Sequence, residues 1–289
     1  MAVVAVQHVR RMRGGAQGHL MLGRDDELYV VKFQNNPQHV RVLANEFLAT
    51  RIAEGLGLSV PPCDVVEVSP WLIANTSELR IVSGQGSELC QPGLQYGSRF
   101  VGGLMPGQLM DYLPAGELQM VTNLAEFAGM LVLDKWTGNA NGRQAVFQRR
   151  ARQRKYKAAF IDHGYCFGAG EWKFRDSPLR GIYGRNTVYE GIRGWKDFEP
   201  WISRAEDFPE SKLWTAAEAV PPQWYGHAGD ELEALIKELL ARRSKARDLI
   251  DEFRNSARMP FPKWGQSLEG REIVRERFLE WPGTGTMVQ

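Results

Sequence analysis

Two short clusters of acids and amides near the middle of the chain have the residue types that hold metal-bound phosphate. The first lies in Leu131-Val132-Leu133-Asp134-Lys135-Trp136-Thr137-Gly138-Asn139-Ala140-Asn141-Gly142-Arg143-Gln144, the second in Ala159-Phe160-Ile161-Asp162-His163-Gly164. Each follows an apolar run, so each sits where a loop leaves a strand or helix. An Asp with an Asn five residues on, and a later Asp ending a strand, is a ligand set for phosphate-bound magnesium. Asp134, Asn139 and Asp162 have that spacing. A structural turn explains Asp162-His163-Gly164 as readily on its own; the neighbouring cluster is what favours a metal. His163 does not define a zinc site, because none of the five histidines is paired at ligand spacing.

The N-terminal third reads as the parts that would cover a phosphate. Val3 to Val9 is a predicted strand. It leads into Gly14-Gly15-Ala16-Gln17-Gly18, a loop with the glycines for a tight turn close to a ligand. A plain hairpin turn is the alternative. Leu20 to Leu22 returns as a strand, and Leu28 to Phe33 is a further one with Lys32 near its end. Strand, glycine loop, strand, strand with Lys is the layout of a nucleotide-phosphate cover. It is not a Walker A loop, since no Gly-Lys-Ser/Thr follows. From His39 to Leu56 the apolar spacing turns helical. On this helix Glu46 faces back toward Lys32 or is simply a solvated residue.

Further along, Val65–Val68 and Leu79–Val82 read as strands, and Tyr96 to Gly103 as a glycine-rich crossing between lobes, with Arg99 a candidate phosphate contact. Glu117 to Trp136 has one helical pattern running into the first cluster. Ala145–Phe147 and Ala158–Ile161 are short strands around an exposed basic turn, Gln148 to Lys157. Trp214–Val220 and Asp230–Phe253 are predicted helices, the second amphipathic and capped by Asp230. A short helix around Ile273–Leu279 and a frayed end at Pro282–Thr286 complete the reading.

Composition bounds the partners. The 289 residues are 43% hydrophobic, enough for one domain or two lobes with a sizeable core. A net charge of only +2 argues against nucleic acid as the main partner. Three widely spaced cysteines make neither a disulfide framework nor a zinc pattern, which suits reducing surroundings. The apolar start is too short for a signal peptide, and no run reaches membrane-spanning length. A cytoplasmic protein without a membrane partner is the expectation.

With the Gly14–Gly18 loop, Lys32, Glu46 and the central clusters in view, the chain resembles the HipA-like branch of the protein-kinase-like superfamily over about Gly14 to Gly168. The resemblance implies an α+β, bilobal fold: a small β-rich N-lobe over residues 1–98 that covers the nucleotide, and a mainly helical C-lobe over 99–289 with the metal and acceptor site. It implies ATP with magnesium, or manganese, in the cleft. The family's catalytic segment reads Gly-Asn-x-Asp-Arg-His-x-x-Asn, and Gly138 to Val146 is the matching stretch. Asn141 then stands in the catalytic aspartate's place, Arg143 where the family has His, and Val146 where it has the metal-binding Asn. Asp162 matches the second metal-loop aspartate, Lys32 the nucleotide-anchoring lysine and Glu46 its helix partner.

An amide does not accept a proton as a carboxylate does, and valine does not bind magnesium. A shifted register, with Asp134 and Asn139 beside Asp162, restores a full set. In that scheme Gly14, Gly15 and Gly18 cover the phosphates, and Lys32, held by Glu46, anchors them. Asp162 holds the metal with Asn139 or Asn141, and Asp134 orients the acceptor. The expected function is an ATP- and magnesium-dependent phosphotransferase acting on a protein or small-molecule hydroxyl. The alternatives are a non-catalytic nucleotide-binding pseudokinase or scaffold, and a nucleic-acid binder using the basic turn.

Overall fold

The computed structural model describes residues 2–84, 86–102, 108–149 and 151–266. Gly103, Arg150 and the segments expected at Ile273–Leu279 and Pro282–Thr286 lie outside the described residues.

The chain begins with β1 (Val3–Arg11), β2 (His19–Gly23) and β3 (Leu28–Lys32), an antiparallel meander. Helix α1 (Val42–Leu56) follows, then β4 (Cys63–Val68), α2 (Pro70–Ala74) and the hairpin β5 (Arg80–Ser83) and β6 (Gly86–Leu89). β7 (Gly93–Arg99) pairs with both β3 and β4, and β4 meets β1 in parallel, so β1-β2-β3-β7-β4 closes into a barrel. Tyr29, Val31, Phe33 and Val66 fill its interior.

The stretch expected to be a glycine-rich crossing is therefore a barrel strand as far as Arg99. Gly97 is there for packing. A Cβ on it would stand 2.4 Å from Val66 Cγ2 and 3.3 Å from the Tyr29 ring, so only glycine lets β7 lie against both neighbours.

α1 is buried along almost its whole length, because it lies between the barrel and the helical half. Gly57 ends it in the left-handed conformation, its N–H bonded to the Glu54 carbonyl at 2.9 Å. The helical half then opens with β8 (Leu109–Met110). The single long helix expected over Glu117–Trp136 is two pieces: one 3-10 stretch over Ala115–Met120, then α3 (Glu126–Trp136). The break has a cause. Thr122 N–H bonds the Tyr156 carbonyl at 2.9 Å, and the Asn123 side chain takes both backbone groups of Ala158 at 2.8 and 3.0 Å. Those groups pair with a strand and are unavailable to a helix.

β9 (Gln144–Gln148) and β10 (Lys157–Ile161) form the expected hairpin and complete a sheet in the order β10-β9-β8. Then come α4 (Trp201–Glu206), α5 (Glu210–Glu218), α6 (Gly229–Ala241) and α7 (Lys245–Arg254). The amphipathic helix expected over Asp230–Phe253 is thus split into α6 and α7. Arg242 sits at the break and holds Asp176 through two guanidinium bonds, at 2.5 and 3.1 Å. Asp230 lies inside the first turn of α6 rather than capping it.

The architecture is bilobal, a β-rich N-terminal part and a mainly helical C-terminal part. α3, buried from Phe127 to Trp136, is the centre of the second. No helix among the described residues is long and apolar enough to cross a membrane.

Candidate active site

Lys32, at the end of β3, points into the cleft between the barrel and α1. Its ammonium lies between two carboxylates: Glu46 of α1, in a direct ion pair, and Asp162 just past β10, at 3.0 Å. The Glu46 Oε1 also accepts the Gly164 N–H at 2.9 Å, so α1 and the loop after β10 share one anchor. The solvated alternative for Glu46 is excluded by its exposure of 1%.

Asp162 holds φ at 64°, a left-handed conformation that Asp tolerates better than most residues. Gln144 Nε2 donates to its second oxygen at 2.6 Å. This follows from register, since Gln144 and Ile161 are direct partners across β9 and β10. Gln144 carried no signal beyond its place at the start of a predicted strand.

The Gly14–Gly18 loop closes the far side. The Met12 N–H bonds the Gly18 carbonyl at 2.8 Å and the Gln17 N–H bonds the Gly14 carbonyl at 3.2 Å. Gly14 takes φ +118°, a region that L side chains rarely adopt. Gly14, Gly15, Gly18, Lys32, Glu46 and Asp162 all line one cavity of about 560 Å³. Phe100, Val101, Leu109, Val146 and Phe160 line it as well. A mostly apolar lining with a few charged groups is common in small-molecule sites. Arg99 lines it too, although its guanidinium also faces Glu27 at 3.4 Å.

Charge in the cleft alternates, with one ammonium between two carboxylates. Burial opposes the Lys32 ammonium, but Glu46 and Asp162 outweigh it and raise its pKa, so it stays protonated. Burial also opposes the Asp162 carboxylate, yet Lys32 holds its pKa below the usual range. Burial raises that of Glu46 against the pull of Lys32. His163, 2% exposed, is held neutral by burial and by the Arg143 charge. Arg143 Nη1 lies 3.2 Å from its Nδ1, which assigns the proton to Nε2, a buried atom with no partner among the described residues.

Asp134 and Asn139 are not in the cleft. Asp134 is 2% exposed and both its oxygens are engaged. Arg143 Nε reaches Oδ2 at 2.9 Å, Arg143 Nη2 reaches Oδ1 at 2.5 Å, and Asn139 Nδ2 donates to Oδ1 at 2.9 Å. The Asn139 N–H also bonds the Asp134 carbonyl at 2.9 Å, so the five-residue spacing ends helix α3 rather than gathering a metal. Asn139 Oδ1 accepts the Asn141 N–H at 3.0 Å, so in this structure the oxygens of both side chains are engaged within the α3 end and its loop, an arrangement that weighs against the shifted register. Asn141 is exposed, and its Oδ1 accepts the N–H of Gly142 at 2.8 Å.

One further buried residue was missed. Asn45, 0% exposed, lies beside Glu46 on α1. Its Nδ2 is 2.9 Å from the carbonyl oxygens of Gly164, Cys166 and Ala169, and its Oδ1 accepts from Trp172 Nε1 at 2.7 Å. A polar residue in an apolar helical stretch was its only signal.

A sequence profile described as HipA-like kinase matches residues 5–167. The chain belongs to the HipA-like kinase family. Among solved structures, it is similar to a Helicobacter pylori proinflammatory kinase, CtkA, at 13% identity and a TM-score of 0.50, over 81% of this chain and 94% of that one. Hydra Fam20, solved with sugar, gives 12% and 0.53 over 87% of each chain. The Golgi casein kinase gives 15% and 0.51, over 86% of this chain and 73% of that one. At such identities these likenesses concern the fold alone. No curated protein matches the chain.

Among the described residues no group of three or more His, Cys, Asp or Glu side chains is placed to hold a metal by itself. Magnesium commonly takes one or two carboxylates and completes its shell with phosphate and water. Asp162 places one carboxylate beside Lys32, and Val146 on the same cavity wall has no ligand atom. The donor set suits a metal that arrives with a phosphate ligand.

Proposed function

We propose that the cleft binds ATP with one magnesium ion and that the chain is a HipA-like phosphotransferase acting on a hydroxyl of a protein or small molecule. The observation that carries this reading is the Lys32 ammonium held between Glu46 and Asp162 beneath a glycine loop. Lys32 anchors the phosphates, and Glu46 fixes Lys32. Gly14, Gly15 and Gly18 let the backbone approach the same phosphates. Asp162 would hold the metal, whose chemistry there would be to neutralise phosphate charge. Gln144 orients the Asp162 carboxylate. Catalysis of phosphoryl transfer rests mainly on positioning and electrostatics, so this set supports transfer without a carboxylate base.

A second reading has its own observation. Asn141 and Val146 stand where the family has its catalytic Asp and metal-binding Asn, which favours nucleotide binding without efficient turnover. Calorimetry with ATP and magnesium, beside radiolabelled γ-phosphate transfer, separates the two. Binding lost in Lys32→Met and Asp162→Asn, with transfer in the parent protein, supports the phosphotransferase. Binding without transfer to any acceptor supports the second reading, and no binding at all removes both.

A further inference from the structure

A second concavity, of about 800 Å³, lies on the outside of the barrel. One wall is six consecutive residues of β1, Val6–Arg11. Successive side chains of a regular strand point to opposite faces; here register shifts at Val6 and Val9 interrupt that alternation, and six in a row bound a space that runs along the strand's edge. The pairing agrees. β1 pairs with β2 on one side, but on the other it meets β4 only at Val3 and Val4. Beyond Val4 that edge has no strand beside it among the described residues.

The opposite wall is α2 and the β5–β6 hairpin, with Trp71, Glu78, Arg80 and Val82. Apolar side chains are unusually open here: Trp71 is 69% exposed, Val82 44%, Val6 43% and Val9 41%. Gathered on one groove, they mark an interaction surface rather than scattered exposure. The charge is one-sided as well. Arg10, Arg11 and Arg80 face a single Glu78, and among the described residues none of the three arginines forms an ion pair.

We propose that this groove docks an extended segment of a partner protein in which apolar and acidic side chains alternate. A free strand edge offers backbone N–H and C=O groups to an extended chain. Alternation sets one row of side chains against Val6, Val9 and Trp71 and the other against the arginines. A second copy of this chain suits the groove poorly. A second β1 would bring Arg10 and Arg11 against the arginines already lining the groove, like charge against like. The groove also adjoins the nucleotide cleft. Arg10 lines both, and Gln17 of the glycine loop holds the backbone of Val82 at 2.8 Å and 2.6 Å. An occupant therefore touches what holds the glycine loop in place.

The test uses the full chain and a fluorescent eight-residue peptide alternating valine and glutamate, with a valine–lysine peptide as control. Saturable binding of the glutamate peptide, at least tenfold tighter than the lysine peptide and weakened by salt, is the expected result. Amide exchange should slow at Val6–Arg11. Trp71→Ala and Arg80→Glu should each weaken binding at least tenfold while melting as the parent does, since Trp71 is mostly exposed and the Arg80 guanidinium bonds Ser87 of its own hairpin. Equal binding of the lysine peptide, slowed exchange elsewhere, or no saturation at millimolar peptide overturns the proposal. So does a peptide-free, concentration-dependent dimer that protects β1, which would make a second copy the occupant.

Discussion

Arg143 encloses the Asp134 carboxylate from two directions, Nε to Oδ2 at 2.9 Å and Nη2 to Oδ1 at 2.5 Å, while its Nη1 donates to the Ile161 carbonyl at 2.8 Å. One guanidinium thus joins the end of α3 to the end of the strand that delivers Asp162. Asp134 is not among the residues that line the cavity, and the expectation is that it acts on stability rather than on binding. Removing one partner of a buried pair leaves an uncompensated charge and costs about 3–5 kcal/mol. Asp134→Ala should therefore lower the melting temperature strongly, yet the folded fraction should still bind nucleotide. Asp162→Ala should do the reverse, with a modest change in melting and loss of magnesium-dependent binding. Adding Arg143→Met to Asp134→Ala should recover part of the lost stability, because no charge is then stranded. Thermal melts and calorimetry on the four proteins check this. Loss of binding in Asp134→Ala below its melting range would return that residue to the chemistry.

Asn45 makes a related prediction for the loop after Asp162. Its side chain gathers three carbonyls and one indole N–H from residues 164–172, and Glu46 next to it holds the Gly164 N–H. Losing a buried hydrogen-bonding group costs about 1–3 kcal/mol. Asn45→Ala should cost roughly that and should speed amide exchange over 164–172 more than in β1–β3. Nucleotide affinity should fall, because the loop that carries Asp162 loses its fastening to α1. Uniform exchange across the chain would mean that Asn45 contributes only global stability.

Four histidines set the acid side of stability. Burial is the first cause in each. It lowers His19 to about 4, His163 well below the ordinary value, and His8 and His39 in the same direction. In the unfolded chain they take up protons near pH 6.5. The folded state does not, so the unfolded state binds more protons and stability falls as pH drops below about 6.5. Asp162 acts in a lower window. Its depressed pKa gives stability that is present above about pH 4 and is lost only as pH falls through the folded value. The melting temperature should decline from pH 7 to pH 5, and His163→Gln should flatten that decline. An unchanged slope in that variant would show that His163 titrates alike in both states.

Much of the site was legible because its parts are local. A glycine loop between two strands, a Lys ending a third and an Asp ending a β-run are short-range patterns; Lys32 meets Glu46, one of the two readings its spacing left open, and also Asp162, a contact the spacing did not indicate. What was not legible depended on tertiary contact. Gly97 looked like a turn because nothing in the sequence shows Tyr29 and Val66 pressing on it. The continuous pattern of Glu117–Trp136 hid a break that Ala158 and Tyr156 impose from another strand. Asp134 and Asn139 had the spacing of metal ligands, yet Arg143, nine positions beyond Asp134, claims the carboxylate. Gln144 gains its meaning only from the β9–β10 register.

That same register identifies a gain-of-function variant. Gln144 and Val146 lie two apart on β9, so they share the face that lines the cleft with Asp162. Gln144 reaches an Asp162 oxygen, whereas Val146, 6% exposed, offers no ligand. Val146→Asn places an amide oxygen where the family has one. Burying that amide should cost about 1–3 kcal/mol without nucleotide, so the variant should melt lower than the parent when alone. With manganese and ATP the order should narrow or reverse, since binding to the folded state stabilises it in proportion to affinity. Phosphate transfer should rise in the same protein if a second ligand is what limits it. Val146→Thr, of similar shape and with a weaker oxygen donor, separates the ligand effect from simple loosening of the cleft. If both variants lose nucleotide binding equally, Val146 serves as apolar wall for the ligand and the single carboxylate of Asp162 is the whole metal site.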